Sequence, residues 1–393
     1  MQILVLNCGS SSAKFAVMDT ASGQEVIAGL AQRIGSPQAT LGWKMAGVKA
    51  ERAIPGADHK AALETIVSVL RDLGLAEGIR GIGHRVVHGG EHFSASRIVD
   101  ATVVDGIRDC IPLGPLHNPA NLVGIELGAV LFPGLAQVAV FDTAFHQTMP
   151  RQAYLYAVPW SWYEEHHARR YGFHGTSHRF VSRQAAEQLG RPYDQCRTIV
   201  AHLGNGCSAC AIKDGQSVDT TMGLTPLEGL VMGTRSGDVD PALIGYLAPR
   251  LGITADKVID ALNKQSGLQG LSGLSNDMRT LLEAAGNGND RAKLAVEVFV
   301  YRLAKAIAGL AVPLGRIDAL VFTGGIGENA APIRAQILDQ LAVFGFRVDE
   351  TRNRAHGRSV GGRITADGAT VALVVPTNEE LMIALDTAAL VAA

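Results

Sequence analysis

The 393-residue chain carries 35 Lys and Arg against 37 Asp and Glu, a formal net charge of −2 at pH 7. A charge so close to balance does not favour a surface for nucleic acid or for an anionic membrane. Hydrophobic residues make up 47% of the chain and charged residues only 18%, so a disordered or highly charged tail protein is excluded, and the length predicts about two domains.

In chain order, the first half predicts three strands separated by turns, a helix, a buried strand, a second helix and a further strand. Asn118 is expected to be the N-cap of the second helix, because Pro119 follows at the first helical position. The apolar spacing of the first helix runs from Leu63 to Leu73. The predicted strands are Gln2–Leu6, Lys14–Met18, Val26–Leu30, Ile82–Val87 and Gln137–Phe141.

The second half predicts three short strands, long helices, one more buried strand and an amphipathic terminal helix at Glu379–Val391. The two halves show a faint internal echo, which suggests a duplication, and the boundary is expected near Gln147–Val158. No apolar run is long enough for a spanning helix, and no signal peptide is expected. The other predicted segments are the strands Arg197–Ala201, Ser208–Ile212, Ser217–Thr221 and Ala319–Phe322 and the helix Ala292–Val312.

Three apolar runs end in a polar, glycine-rich turn, at residues 7–12, 203–206 and 323–329. Glycine has no Cβ, so such a turn brings backbone N–H groups close to an oxyanion. One turn of this kind is a weak signal. Three of them, spread over both halves, predict two lobes that close on a polyphosphate.

Two arginines stand among apolar or glycine residues, Arg85 on the predicted strand and Arg235 between Gly233 and Gly237. A buried guanidinium is unfavourable unless an anion meets it, and its planar shape suits phosphate or carboxylate. Structural ion pairs are the alternative explanation.

Three histidines stand beside Gly or Pro turns, where a side chain is well placed to face a site. They are His117, His174 and His202.

Two other kinds of site are disfavoured. Cys207 and Cys210 have the spacing of zinc ligands, but the sequence has no second Cys pair. Gly204, Gly206 and Ala209 fit a dinucleotide fingerprint superficially, yet a strand and a hairpin signal follow where that motif needs a helix. A P-loop motif is missing from the sequence.

Phosphate chemistry instead predicts Mg²⁺ on one or two oxygen ligands plus substrate phosphates. The candidate ligands are Asn7 and either Glu379 or Glu380, with Asp142 nearby. The five cysteines, an odd number, fit free thiols in a reducing cytoplasm.

Taken together, these motifs resemble the acetate kinase (acetokinase) family of the actin, sugar-kinase and heat-shock ATPase superfamily. The resemblance implies an α/β fold of two ribonuclease-H-like (actin-like ATPase) domains with an interdomain cleft. It implies an N-terminal lobe of residues 1–146 plus 380–393 and a nucleotide-binding lobe of residues 147–379. The matching segments are Asn7–Lys14, His84–Glu91, Pro115–Pro119, Val140–Pro150, Tyr171–His178, His202–Gly206, Met222–Pro241, Phe322–Asn329 and Pro376–Leu381.

The resemblance also implies a homodimer and reversible, direct in-line transfer of the ATP γ-phosphoryl to acetate, giving acetyl phosphate and ADP. The charge balance predicts no nucleic-acid or membrane partner, and the cysteines predict a cytoplasmic location. In this interpretation Arg85 and Arg235 clamp acetate and the moving phosphoryl. His174 stabilises the transferring group, His117 supports it, and Asp142 matches the family's acid/base residue. The implied binding residues are Asn7 and Glu379 for Mg²⁺ (or Mn²⁺); Val87, Leu116, Phe173 and Pro226 for the acetate methyl; and Lys14, His202, Leu203, Gly204, Asn205, Gly206, Asp277, Met278, Arg279, Gly325, Ile326, Gly327, Glu328 and Asn329 for the nucleotide.

The acid/base role of Asp142 conflicts with simple chemistry. Carboxylic acids such as acetate ionise near ~4 and need no base at pH 7. We therefore hypothesise that Asp142 orients Mg²⁺, a water molecule or an arginine.

Alternative functions stay open at this point. The first is a propionate or other short-chain acyl kinase, since one methylene changes binding by only ~1–3 kcal/mol. The second is an ATP-driven chaperone or filament protein, which would need the phosphate turns but not the paired arginines. The third is a nucleotide sensor without catalysis.

Overall fold

The computed structural model describes residues 1–392, which form two units of mixed α/β structure. Unit 1 consists of Met1–Gln147 together with Asn378–Ala393, and unit 2 consists of Thr148–Thr377. Each unit has its own sheet, one of eight strands and one of five.

The sheet of unit 1 runs in the order β5-β4-β3-β2-β1-β6-β8-β7. Strands β1 to β5 pair antiparallel in succession, whereas β6 pairs parallel to β1 and β8 pairs parallel to β6. The elements of this unit are β1 Gln2–Gly9, β2 Ser12–Asp19, β3 Gln24–Gln32, β4 Thr40–Met45, β5 Val48–Ala53, α1 His59–Asp72, β6 Ile79–Val86, β7 Arg97–Ile98, α2 Ala101–Asp109, α3 Asn118–Leu131 and β8 Gln137–Phe141.

The sheet of unit 2 runs in the order β11-β10-β9-β12-β13. Strands β9 to β11 pair antiparallel, while β12 lies parallel to both β9 and β13. The elements are α4 Arg151–Tyr154, α5 Trp160–His166, α6 Gly175–Gln188, β9 Arg197–Leu203, β10 Cys207–Lys213, β11 Gln216–Thr220, α7 Ala242–Leu251, α8 Ala255–Lys264, α9 Gly267–Ser272, α10 Met278–Gly286, α11 Asp290–Leu314, β12 Ala319–Thr323, α12 Gly324–Asn329, α13 Ala331–Gln340, α14 Glu350–Arg354 and β13 Val371–Val374.

The last helix, α15 (Glu379–Val391), returns to unit 1 and packs on β1, β6 and β8. Successive side chains of β1 point to opposite faces of the sheet, which explains this packing. Leu4 and Leu6 face the cluster that contains α1, whereas Ile3 and Val5 face the cluster that contains Ile383 of α15. A central strand buried on both faces is expected to be apolar without interruption, as residues 3–6 of β1 are.

Both sheets repeat one topology: three antiparallel strands in the spatial order third, second, first, followed by two strands parallel to the first. This is the ribonuclease-H-like arrangement, so the predicted α/β fold class is confirmed, and the repeat supports the duplication suggested by the sequence echo. In unit 1 the hairpin of β4 and β5 extends this core. Within residues 1–392, no helix combines the length and apolar character needed to cross a membrane.

Two local predictions are wrong. Asn118 is not the N-cap of α3, because His117 occupies that position and Asn118 begins the helix with its side chain buried. The glycine-rich segment after β12 is not an open turn, because Gly324–Asn329 forms the short helix α12. Gly324 adopts φ +75 at its start, and a β-carbon there would lie 2.8 Å from Leu203 O, which explains the need for glycine.

Candidate active site

In unit 1, three predicted site residues lie at or near the carboxyl ends of adjacent parallel strands. Asn7 lies on β1, Arg85 is the penultimate residue of β6, and Asp142 directly follows β8. The Asp142 N–H donates to Val86 O over 2.9 Å, which continues the strand pairing beyond β8. Since the carboxyl ends of parallel strands meet at one sheet edge, this is where α/β folds commonly bind ligands.

Arg85 and Asp142 form a two-pronged ion pair. Arg85 Nε donates to Asp142 Oδ1 over 3.1 Å, and Arg85 Nη2 donates to Asp142 Oδ2 over 2.5 Å. Burial opposes the charge of Arg85, but Asp142 and Glu379 more than offset it and raise the pKa of the guanidinium above its ordinary value. Asp142 is only 1% exposed, and its carboxylate fixes the plane of the arginine fork.

A cavity of about 20 Å³, roughly the size of one water molecule or ion, adjoins this pair. Asn7, Lys14, Arg85, Glu379 and Glu380 contribute to its walls. Burial raises the pKa of the Glu379 carboxyl, partly opposed by Arg85, and the neighbouring carboxylates Asp142 and Glu380 raise it further. A bound cation would stabilise the charged form of Glu379, which burial and the neighbouring carboxylates disfavour. The oxygen donors of the cavity therefore fit a small hard metal ion.

The same cavity clarifies the positions of Lys14 and Glu380. Lys14, predicted to bind nucleotide, forms an ion pair with Glu380. Because Glu380 is paired with Lys14, Glu379, the first residue of α15, remains as the predicted metal ligand. Among residues 1–392, no group of three or more His, Cys, Asp or Glu side chains could hold a metal alone, so substrate or water oxygens would complete its coordination.

Two asparagines of α3 clamp the backbone around this edge. Asn121 Oδ1 accepts from Val87 N–H over 3.1 Å, and its Nδ2 donates to Cys8 O over 2.8 Å. Asn118 bonds both backbone groups of His88. The amide of Asn121 thus joins the segment beside Asn7 to the segment beyond Arg85.

Replacing Asn121 with alanine should lower the free energy of unfolding by about 3 kcal/mol, because two buried backbone groups lose their partners. The measurement is the thermal midpoint by calorimetry. The exposed Gln38→Ala variant in the same unit is the control and should melt like the unmodified chain. An unchanged midpoint for N121A would contradict the clamp.

The remaining predicted residues of unit 1 differ in exposure. Val87 is 7% exposed, whereas Leu116 is 65% exposed. His117 supplies the N-cap position of α3 through its backbone. Asn7, Arg85 and Glu379 share one cavity, which Leu116 does not line.

In unit 2, Arg235 and His174 both lie beside the 203–206 turn. A β-carbon built on Gly206 would lie 3.5 Å from Arg235 Nη1 and 3.5 Å from His174 Nε2. The loop of Arg235 is tied to the turn, because Gly233 N–H donates to Asn205 O over 2.9 Å. Burial lowers the pKa of the Arg235 guanidinium. An anion bound beside it would stabilise the charged form and raise this pKa again.

His174 has a strained backbone, with φ 56 and ψ 24 in the left-handed region, directly before α6. A side chain with a Cβ adopts this conformation at a cost of roughly 1–2 kcal/mol, and such strain concentrates at functional sites. The His174 ring stacks on His202 with centroids 4.3 Å apart.

Two residues predicted to contact the acetate methyl also lie in unit 2. Phe173 is 2% exposed, and Pro226 O accepts from Arg235 Nη1 over 3.2 Å.

Gly204 and Asn205 of the 203–206 turn line a cavity of about 550 Å³, a volume typical of small-molecule sites. Most of the residues predicted to bind nucleotide line it. Asp277 caps α10, and hydrogen bonds led by that from the Arg279 side chain lower the pKa of its carboxyl to about 2. The predicted lining residues are Gly204, Asn205, Asp277, Met278, Arg279, Gly325, Ile326 and Asn329.

Other residues of this cavity were missed, and some predicted ones have structural contacts. Leu282, Ala330 and Pro332 form apolar parts of the wall. Leu282 could have been inferred, because it lies one helical turn after Met278. Glu328 accepts from the N–H groups of Gly324 and Thr377, and so holds the start of α12. Four further predicted residues lie outside the wall, namely His202, Leu203, Gly206 and Gly327.

Comparisons with known proteins identify the family of the chain. The model of the acetokinase family matches residues 2–385. An acetate kinase of Deinococcus radiodurans is 55% identical over 100% of this chain and 98% of its own length, and one of Ectopseudomonas mendocina is 56% identical over 99% and 98%.

Two solved structures are also similar. A propionate kinase from Francisella tularensis has a TM-score of 0.95 at 46% identity, and the acetate kinase of Porphyromonas gingivalis has a TM-score of 0.93 at 44% identity. Each comparison covers 99% of both chains.

Proposed function

Since the chain belongs to the acetokinase family, we propose that it transfers the γ-phosphoryl of ATP to acetate, giving acetyl phosphate and ADP. It is a kinase whose acceptor is a carboxylate. The observation that carries the proposal is the 203–206 turn, which lines the 550 Å³ cavity through Gly204 and Asn205 and has Arg235 and His174 beside Gly206. ATP bound in that cavity would direct its phosphates along the turn toward the two cationic or hydrogen-bonding side chains. The family match favours this kinase over a chaperone, a filament protein or a sensor.

Phosphoryl transfer makes modest chemical demands on a protein. The moving group spreads its charge over three equatorial oxygens, so positioning and fixed positive charge dominate the rate. Arg235 would stabilise this charge, and His174 would donate a hydrogen bond to it. Arg85, held by Asp142, would bind the carboxylate of acetate through its planar fork. Direct in-line transfer requires no covalent enzyme intermediate.

We propose Mg²⁺, with Mn²⁺ as a substitute, at Asn7 and Glu379. Acetate kinases are ATP-dependent and generally use a divalent metal, which neutralises phosphate charge. The small oxygen-lined cavity and the raised pKa of Glu379 support this assignment. A homodimer and a cytoplasmic location are also proposed; the five buried cysteines, none of which forms a disulfide, support a reducing compartment.

The direct test is formation of acetyl phosphate from ATP, Mg²⁺ and acetate, followed by ³¹P NMR. Saturable formation that depends on all three components is expected. ATP hydrolysis without acetyl phosphate would overturn the proposal. Light scattering tests the homodimer separately.

Propionate is the second candidate acceptor, because a propionate kinase is among the similar structures. One additional methylene changes binding by only about 1–3 kcal/mol, so both acids could react. Comparing kcat/KM for acetate, propionate and butyrate decides between them. A higher value for propionate would reassign the acceptor without changing the reaction class.

Replacing Glu379 with glutamine should raise the Mg²⁺ concentration for half-maximal activity by at least about tenfold, because the amide lacks the ligand's charge. The measurement is activity against free Mg²⁺ at saturating acetate. The exposed Glu51→Gln variant is the control and should behave like the unmodified chain. An unchanged Mg²⁺ dependence of E379Q would remove Glu379 from the metal site.

A further inference from the structure

Ser208 of β10 contacts two histidines through one hydroxyl. Its Oγ lies 2.9 Å from His174 Nδ1 and 2.8 Å from His178 Nε2, both normal hydrogen-bond distances. Ser208 and His178 are each 0% exposed, so the serine hydroxyl lies in the interior of unit 2, while His174 is half-buried. Neither residue stands in a sequence pattern that predicts a role for it.

The hydroxyl carries a single proton, and this limits the protonation states of its neighbours. It can donate to only one of the two ring nitrogens. A buried hydroxyl that donates to neither would lose a hydrogen bond. If both rings are neutral, one of these nitrogens therefore accepts from the hydroxyl and the other donates an N–H to it.

The two arrangements have opposite consequences for His174. If Nδ1 accepts from Ser208, the ring proton of neutral His174 resides on Nε2. If Nδ1 donates to Ser208, then Nε2 carries a lone pair. His174 Nε2 is the nitrogen on the side of Gly206, where Arg235 also lies. Only the first arrangement presents a hydrogen-bond donor to an anion there.

We propose that Ser208 is a positioning residue that holds His174 in its Nε2–H form, with the N–H of buried His178 as the donor to the serine oxygen. The hydroxyl does not touch the substrate; it acts through His174. This inference rests on the proposed phosphoryl transfer, in which His174 Nε2–H donates to an equatorial oxygen. A lone pair at that position would repel the same oxygen.

The other groups around the ring are consistent with a fixed orientation. The stacked His202 has its own hydroxyl partner, since its Nδ1 lies 2.8 Å from Ser177 Oγ. His202 is therefore oriented by Ser177 of α6, not by Ser208 of β10. The His174 main chain, held in the left-handed region, further restricts the ring.

The test combines ¹⁵N NMR of imidazole side chains with steady-state kinetics. The His174 signals are assigned by their loss in His174→Gln. In the unmodified chain His174 should appear as the Nε2–H form. Ser208→Ala should give a mixture of forms and lower kcat at least about tenfold, the range for groups that orient a functional side chain. Its KM for ATP should stay within about twofold, because the nucleotide cavity is unchanged.

Two further variants make the result specific. Ser208→Thr keeps the hydroxyl and should restore the Nε2–H form and most of kcat. Ser217→Ala removes another 0% exposed serine from the same sheet and should change neither readout. Thermal melting of each variant separates misfolding from mispositioning.

Several outcomes would overturn the inference: an Nδ1–H form in the unmodified chain, a Ser208→Ala variant with an unchanged tautomer, or an altered tautomer with unchanged kcat. The NMR readout needs no turnover. An unmodified chain that makes no acetyl phosphate would therefore refute the proposed function, while the spectra would still decide the orientation of the hydroxyl.

Discussion

Replacing Arg235 with alanine is expected to lower kcat for acetyl phosphate formation by about 10³, the scale on which an arginine stabilises phosphoryl transfer. Arg235 lies beside the 203–206 turn, tied there by its loop, and among residues 1–392 no carboxylate forms an ion pair with it. Its charge is therefore available to a substrate anion. The measurement is initial rate at saturating ATP and acetate.

Two controls accompany this variant. Arg235→Lys keeps the charge but loses the planar fork, so it should recover only part of the rate. Arg354→Ala removes an exposed arginine from α14 of the same unit and should leave the rate unchanged. An Arg235→Ala variant with nearly full kcat would show that the charge of the moving phosphoryl is neutralised by other groups.

Replacing Asp142 with asparagine should lower kcat/KM for acetate by about 10², mainly through a higher KM, because misplacing a reacting group by about 1 Å has an effect of this size. The carboxylate receives two hydrogen bonds from Arg85. An amide presents one acceptor and one donor, so one prong would be lost and Arg85 would turn.

The kinetic pattern separates this role from proton transfer. Loss of orientation raises the KM for acetate, whereas loss of an acid/base group lowers kcat with little change in KM. A large fall in kcat alone, with unchanged Mg²⁺ dependence, would restore the acid/base interpretation. Asp105→Asn, which alters an exposed Arg–Asp pair of α2, is the matched control.

The strands of the fold were predictable where burial on both faces makes the sequence apolar without interruption. Residues 3–6, 138–141 and 319–322 are examples, and the structure contains strands at all three. The hairpin of β4 and β5 was not predicted, because β5 is exposed at every position and therefore has no apolar pattern. The hairpin joins the sheet because β4 pairs with β3, and no local sequence pattern reveals this long-range pairing.

The site was predictable by residue type but not by partner. Arginines among glycines indicated an anion site, yet nothing local connects Arg85 with Asp142, which meets it only because β6 and β8 are neighbours. Ser208 was passed over for the same reason: a serine on a buried strand has no distinctive local pattern. Asn118 was misread because the signal for a helix start could not reveal that its side chain binds the His88 backbone.

The return of α15 to unit 1 affects how the protein is made. A ribosome synthesises residues 1–147 first, then all of unit 2, and only afterwards the helix that covers one face of β1, β6 and β8. Domains usually fold as units in the order of their synthesis. Unit 2 is continuous in the chain and needs no later segment, whereas unit 1 must wait for α15 with apolar side chains such as Ile3 and Val5 uncovered, a period in which chaperone protection would be most valuable.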